Sequence, residues 1–466
     1  VLLWTDALVF LLLAVVLLFA WYAHRREHLA APWRDVVRSP IAVAALVILS
    51  AYTLVGVLDS MHFRKALPTQ AGQTGVQYSG EVLSVLDVLL GPVRARVETT
   101  YSAPFATHLY TREFVQDEQG NRVRAYPRLK YGGAQLADPV EDRWPDIRQR
   151  LLLAVLQALG GMAAVCVLLG AARARHRRIA LRAALGDIAR GRCAIPWRTL
   201  LAVLAVLALL VALIANMSPV WHMLGTDKVG QDVLYQSIKS IRTGLVIGTL
   251  TTLIMLPFAV LLGMMAGFFG GWVDDVIQYL YTTLNSIPGV LLIAAAVLMM
   301  QVYMANHPEM FETMAERADM RLLFLCIILG ITSWTGLCRL LRGETLKLRE
   351  LDYVQAGSAF GVSGLRIMLR HLLPNLMHLV MITVVLDFST LVLAEAVLSY
   401  VGVGVDPTTM SWGNMINRAR LEMAREPMVW WSLLSAFGFM FTLVLAANLF
   451  SDALRDAFDP RLRMEQ

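Results

Sequence analysis

Apolar runs of about 20 residues recur along the whole of this chain, and a run of that length matches the hydrocarbon thickness of a bilayer. Of its 466 residues, 57% are hydrophobic and only 16% are charged, whereas soluble domains average about 25% charged. Inside lipid every backbone N–H and C=O must be satisfied within the protein, which leaves helices as the structure for such runs. The fold class expected is therefore an all-α polytopic membrane protein. Nine spans are predicted: 2–22, 41–58, 151–171, 199–216, 242–266, 276–302, 321–342, 376–397 and 430–450. In the first, Arg25 and Arg26 follow the apolar stretch where a signal peptide's charges would precede it, so this run is read as a retained helix.

The short loops fix an orientation. The stretch 172–198 carries eight arginines, among them Arg173, Arg182 and Arg192, against Asp187 alone, and so is assigned to the cytoplasm. Counting spans outward puts Arg25 and Arg26, and also Arg342, Lys347, Arg349, Arg366 and Arg370, on the same side. The acidic loop 303–320, with Glu309, Glu312, Glu316 and Asp319, falls opposite. This topology places the N-terminus in the periplasm and the C-terminus in the cytoplasm. The net charge of +6 is thereby explained by loop asymmetry, with no nucleic-acid partner and membrane lipid as the surrounding medium.

A hydrophilic insert at 59–149 is extracytoplasmic by the same count. Alternating pieces at Thr107–Tyr110 and Val123–Tyr126, broken by Gly120-Asn121 and Gly132-Gly133, predict a small β-containing module. The cysteines, Cys166, Cys193, Cys326 and Cys338, lie outside the insert and lack metal-like spacing, so they offer it no disulfide.

The most informative loop is 343–374. Its centre, Asp352-Tyr353-Val354-Gln355-Ala356-Gly357-Ser358-Ala359-Phe360-Gly361, reads as a short helix. Leu351, Val354 and Ser358 share one face, Tyr353, Ala356 and Phe360 another, and Gly361 and Gly364 supply a bend. Leu365, Met368 and Leu369 give a second helix an apolar stripe beside Arg366, Arg370 and His371, and Pro374 suits the first turn of the following span. An apolar ridge in such a loop either docks into a partner subunit or lies on lipid headgroups, and the pattern alone leaves both open.

The loop resembles the EAA loop of ABC-importer permeases. More narrowly, Asp352 through Gly357 with His371-Leu372-Leu373-Pro374-Asn375 is similar to the dipeptide/oligopeptide/nickel permease family. The flanks resemble it too. Gly225-Thr226-Asp227-Lys228-Val229-Gly230-Gln231-Asp232-Val233-Leu234 is like that family's GTDxxGRDV segment, and Gly267–Asp274 is like its loop between the second and third core helices. The stretches 398–405, 411–414 and 452–463 are like its C-terminal signatures. Five ordered matches across 225–463 point to the C-type subunit of the permease pair.

The resemblance implies a type I importer core of six spans within 199–466, preceded by an accessory region, 1–198, to which it does not extend. It implies that loop 343–374 is the coupling element, with Asp352, Tyr353, Val354, Gln355, Ala356, Gly357, Phe360, Gly361, Arg366, His371 and Pro374 as its site residues. The implied partners are a second, B-type permease, two ABC ATPase subunits and an extracytoplasmic substrate-binding protein. The chain has no G-x-x-x-x-G-K-[ST] phosphate loop, so it is expected to bind no cofactor itself, with ATP and Mg used by the ATPases. The cargo implied is a di- or oligopeptide; nickel or another small solute, or export on the same core, are the alternatives. Gln355 replaces the family's acidic residue, Gly357 its second alanine, and Gln231 the arginine of GTDxxGRDV.

Within the spans, Asp387, Asn285 and Ser286 are candidates to line a solute path. Plainer roles, an interhelical hydrogen bond for Asp387 and a kink at Asn285-Ser286-Pro288, compete with that reading, as they do for Glu395 and Pro257. Met264, Met265, Met299 and Met300 are read as packing, and His222 and His378 are given no ligand role. Trp412 and Asn414 either touch a binding protein or cap the core.

Overall fold

The computed structural model describes residues 3–25, 27–66, 78–116, 122–178, 180–191, 196–310 and 313–458. Arg26, the Gly120-Asn121 turn, Arg192, Cys193, Glu312 and the end of the C-terminal signature, 459–463, lie outside the described residues.

In chain order the helices begin with α1 (Trp4–His24), α2 (Glu27–Arg38) and α3 (Pro40–Ser60). The insert supplies β1 (His62–Ala66), β2 (Tyr78–Ser84), α4 (Val85–Leu89), α5 (Gly91–Arg94), β3 (Glu113–Gln116) and β4 (Arg122–Ala125). There follow α6 (Arg143–Arg177), α7 (Leu181–Arg190), α8 (Trp197–Met217), α9 (Val233–Phe269), α10 (Gly271–Ser286) and α11 (Gly289–Asn306). The chain ends with α12 (Met314–Ser333), α13 (Thr335–Arg349), α14 (Asp352–Ala359), α15 (Gly364–Ile367), α16 (Leu373–Val401), α17 (Trp412–Glu422) and α18 (Trp431–Phe458).

Among the described residues eight helical segments are long and apolar enough to cross a membrane, and α1 adds a shorter apolar stretch, Trp4–Leu18. The span expected at 276–302 is two helices. Ser286 ends α10, and Pro288, which has no N–H to continue the ladder, stands before α11. Pro257, by contrast, lies inside α9 without ending it. Helix α9 starts nine residues before the expected 242 because the Asp232 side chain accepts from the Leu234 N–H at 2.8 Å, a cap that the apolar pattern does not register.

The chain forms two compact units: 1–26, 243–409 and 447–466 in one, 27–242 and 410–446 in the other. In the first, Met255, Ala259 and Met264 of α9 pack with Ile277 and Tyr281 of α10, Leu337, Cys338 and Leu341 of α13, and Leu372 and Leu376 around the start of α16. The approach of α9 to α13 rests on Gly263 and Gly267, four residues apart. A Cβ on Gly263 would stand 2.8 Å from the Cys338 carbonyl oxygen, and one on Gly267 would stand 2.6 Å from Thr345 Cβ and 2.7 Å from the Arg342 carbonyl oxygen. Two small residues at that spacing let helices in lipid meet at backbone distance. Gly267→Val is expected to cost about 1–3 kcal/mol by overpacking, read as a lower melting midpoint of the detergent-solubilised chain. An unchanged midpoint would refute the close contact.

In the second unit α6 packs along α8, with the Asn216 side-chain amide donating to Gln157 Oε1 at 2.7 Å and Arg150 donating to the Asn216 carbonyl at 3.2 Å. Among the described residues the β-structure is two antiparallel strand pairs, β1–β2 and β3–β4. The piece at Val123–Tyr126 enters β4, in register with β3 through Phe114↔Arg124 and Val115↔Val123. Thr107–Tyr110 does not become a strand. It makes an isolated bridge, His108↔Arg128, and trades backbone hydrogen bonds with 127–129.

Candidate functional sites: the 343–374 loop and the mouth of α9

In the first unit, α14 ends in a geometry that requires its glycine. The Val362 N–H donates to the Gly357 carbonyl and the Gly361 N–H to the Ser358 carbonyl, the paired bonds of a Schellman cap, with Gly361 at φ +75°. Nothing lies within 4 Å of where a Cβ would be, so the requirement is purely conformational. The expected grouping of faces changes. Val354 is buried in the α9–α10–α13 core and Gly357 is half-buried against Ile367, while Leu351 and Ser358 are exposed. The stripe expected on the second helix splits likewise. Ile367, Met368 and Leu372 turn inward, and Leu365 and Leu369 turn outward. Leu365 and Leu369, four residues apart, share the outward face, and Met368 and Leu372 share the inward one. A wide π-turn over Met368–Leu372, where Leu373 donates to Met368, then leads into Pro374 in the first turn of α16.

The outcome is an outward ridge of Tyr353, Phe360, Leu365 and Leu369, with Phe360 87% exposed. Asp352, Gln355, Ala356, Gly361, Arg366 and Pro374 are also exposed, and His371 is half-buried with its ring 6.3 Å from that of Tyr353. Asn375 donates to the Tyr353 hydroxyl at 3.0 Å, and Gln355 to the Glu350 carbonyl at 3.2 Å. The ridge sits on a stiff frame. Arg342 grips Asp274 with two hydrogen bonds of 2.5 and 2.6 Å, and Arg349 reaches the carbonyls of Gly267 and Phe268 at 3.4 Å. The Arg342 guanidinium holds the Asp274 carboxyl below the usual carboxylate range. A planar guanidinium gripping a carboxylate with two bonds fixes angle as well as distance, so the 267–274 loop and the root of the ridge move as one piece.

The three path candidates are not alike. Asn285 is exposed and accepts from the Thr335 hydroxyl at 3.0 Å, and Ser286 bonds back to Thr283 of its own helix at 2.7 Å. Asp387 is half-buried and makes no hydrogen bond with the described residues. Glu395 is buried and accepts from Ser399, one turn along the same helix, at 2.7 Å.

In the second unit the insert is bolted to the segment 222–239. His222, given no role by the sequence, lies between two buried carboxylates, 2.7 Å from Asp232 and 3.3 Å from Glu98. Glu98 also accepts from the backbone N–H groups of Lys130, Tyr131 and Gly132 at 2.8–3.0 Å. Burial alone would lower the His222 pKa, but hydrogen bonds and charge from Asp232 and Glu98 outweigh it and hold the imidazole at about 9. Burial likewise opposes ionisation of Glu98, and its bonds to His222 and the three N–H groups prevail, bringing it to about 2. A second cluster joins Lys239 to Asp59 at 2.7 Å and to Asp87 at 2.9 Å, with the Tyr235 hydroxyl donating to Asp87 at 2.7 Å.

Between these clusters the backbones meet. Gly225 and Gly230 have φ +71° and +74°, and a Cβ would fall 2.5 Å from the Ser102 carbonyl oxygen at the first and 1.9 Å from that of Glu98 at the second. Gln231 lines a cavity of about 330 Å³ with Arg94 of the insert, Asp232, Tyr235 and Met410. Trp412 is buried, its indole donating to the Ser237 carbonyl at 3.1 Å, and Asn414 is buried beside it, so both cap the packing. The only sequence signal for the bolt was the coincidence of His222, Asp232 and the two glycines within ten residues; Glu98 is 124 residues away from His222.

Residues 259–464 match the family described as the binding-protein-dependent transport system inner membrane component. The glutathione transport system permease protein GsiD of Pectobacterium atrosepticum is 31% identical over 242 residues, 52% of this chain and 73% of the relative. This chain belongs to that permease family. The oligopeptide transport system permease protein OppC of Mycobacterium tuberculosis is 30% identical over 52% of this chain and 77% of its own length. The dipeptide transport system permease protein DppC of Bacillus subtilis is 28% identical over 52% and 69%. The chain is thus a multi-pass inner-membrane permease, the transport component of an ABC system that works with partner subunits. The ridge on α14 and α15 lies within the matched stretch 259–464.

Proposed function

We propose that this permease forms half of an import pathway for di- or oligopeptides and that the α14–α15 ridge couples it to ATP hydrolysis by partner subunits. The observation that carries the coupling role is the outward ridge of Tyr353, Phe360, Leu365 and Leu369 on a frame clamped by Arg342–Asp274. A knob of apolar side chains held by buried anchors loses little conformational freedom on docking, which suits transmission of force. The partners in this reading are a B-type permease, two ATPases that bind the ATP and Mg, and an extracytoplasmic binding protein. The relatives named for glutathione, oligopeptides and dipeptides support a peptide cargo over nickel. Gln355 hydrogen-bonds the Glu350 carbonyl at the root of α14, a neutral bond where the family carries an acid, so the coupling surface is expected to fit a groove with a co-adapted charge pattern.

The arginine-rich 172–198 loop supports an inward-facing position for itself and for the ridge, with the insert and the mouth of α9 outside. The core in this reading begins near Thr199, and 1–198 is an accessory region whose insert braces the GTDxxG-like segment. Asp387, with no partner among the described residues, is the strongest of the three path candidates. Copurification of the intact complex tests the assignment. ATPase subunits, a second permease and retained peptide are expected together, and external protease applied to right-side-out vesicles should cut the insert and spare 172–198. Recovery without any ATPase would sink the coupling role, and the reverse cleavage pattern would overturn the orientation.

A further inference from the structure

The corner between α6 and α7 carries a cluster of cations that neither the coupling ridge nor the insert uses. Helix α7 folds back across the end of α6. Ala184 and Ile188 are buried, and Leu185 and Leu181 close over Gly170, where a Cβ would stand 2.7 Å from Leu185 Cδ2. Gly170 is the last turn of the apolar part of α6, so this contact fixes α7 at the depth where hydrocarbon gives way to headgroups. From Gly170 to Arg178 the helix rises only ~12 Å, which keeps the arginines beyond it within reach of one headgroup layer.

Arg175, Arg178, Arg182 and Arg190 are exposed there and Arg173 is half-buried. Among the described residues none of the five has a carboxylate partner, and Arg173 Nε is buried with no hydrogen-bond partner. The C-terminal end of α6 attracts cations, but that field acts over the last turn only and takes up a fraction of one charge. Arg178 itself ends α6 at φ +52°, a left-handed conformation that costs an L-residue about 1–2 kcal/mol. Helix α7 meets the same need with Gly191 at φ +70°. An arginine is therefore kept where glycine would be cheaper.

We infer that the α6–α7 corner is a binding site for the headgroup of an anionic phospholipid, held by Arg173, Arg175, Arg178 and Arg182 with Leu181 against the acyl chains. The charge is complementary to a phosphodiester, planar guanidinium groups match its oxygens two at a time, and Leu181 is 40% exposed beside Arg182. A protein partner is disfavoured by the same comparison. The coupling ridge is aromatic and apolar, whereas this surface offers uncompensated cations continuous with two spans. Unpaired guanidiniums at a bilayer surface attract anionic lipid by about 1 kcal/mol each.

The test uses the full chain copurified with its partner subunits, offered equal amounts of dioleoyl phosphatidylglycerol and dioleoyl phosphatidylcholine, with retained lipid counted by native mass spectrometry. Wild type is expected to prefer the anionic lipid by at least about tenfold, equivalent to ~1.4 kcal/mol. The R173Q/R175Q/R178Q/R182Q variant should lose the preference, and the matching lysine variant should keep most of it, which separates charge from misfolding. No preference in wild type would overturn the site, as would a glutamine variant that keeps its preference. A glutamine variant whose sole change is the loss of an ATPase subunit would assign the corner to a protein instead.

Discussion

Gly361→Pro is expected to abolish substrate-stimulated ATP hydrolysis in the reconstituted complex while leaving the spans inserted. Proline is locked near φ −65° and has no N–H, whereas Gly361 sits at +75° and donates to Ser358. Both bonds of the cap would be lost, at a cost of about 3 kcal/mol or more, and the stimulated rate should fall by roughly two orders of magnitude if the capped form is the one that docks. Gly361→Ala meets open space and only the conformational cost of the left-handed region, about 1–2 kcal/mol, so it should retain more of the coupling than the proline variant. Phe360→Ala separates docking from folding. Its ring is 87% exposed, so the melting midpoint should not move while stimulation drops. Full stimulation in Phe360→Ala would show that the ridge is not the contact surface.

How much of this was legible in the sequence depends on the range of the interaction. The spans were, because a helix in lipid is written as a continuous local run. The loop was legible in outline, since glycines at the bend and small residues around Ala356 report local backbone needs. Which residues face out was not. Leu365, Met368 and Leu369 form one apolar stripe in the sequence, and which edge of it meets the core depends on where α9, α10 and α13 lie. The Gly263/Gly267 contact was readable in principle, as two glycines four apart in an apolar run, but its meaning depends on α13 arriving at that face. The bolt on the insert lay furthest from reach. His222 alone is an unremarkable loop histidine, and only the fold supplies Glu98 to it.

That bolt has the second large consequence. His222→Ala would leave Glu98 and Asp232 buried without the cation between them, and removing one partner of a buried ionic cluster costs about 3–5 kcal/mol. The contribution of His222 has a definite pH signature. Its folded pKa, about 9, lies above the ordinary 6.5, so its stabilisation is complete below about pH 6.5 and vanishes as pH rises through 9. Glu98 acts in the opposite limb. With its pKa depressed from 4.5 to about 2, its contribution is present above 4.5 and lost as pH falls through 2. Between these limits His222 and Glu98 are both ionised and the insert is held. Hydrogen exchange at the amides of 130–132, which donate to Glu98, should therefore accelerate in wild type between pH 8 and 10 beyond the intrinsic rise in exchange rate. In His222→Gln, which bonds but cannot carry charge, exchange should be faster at pH 7 and show no such additional step. Parallel profiles for the two proteins would mean that the imidazolium does not hold the insert, and the brace would then rest on Lys239 with Asp59 and Asp87, and on the backbone contacts at Gly225 and Gly230.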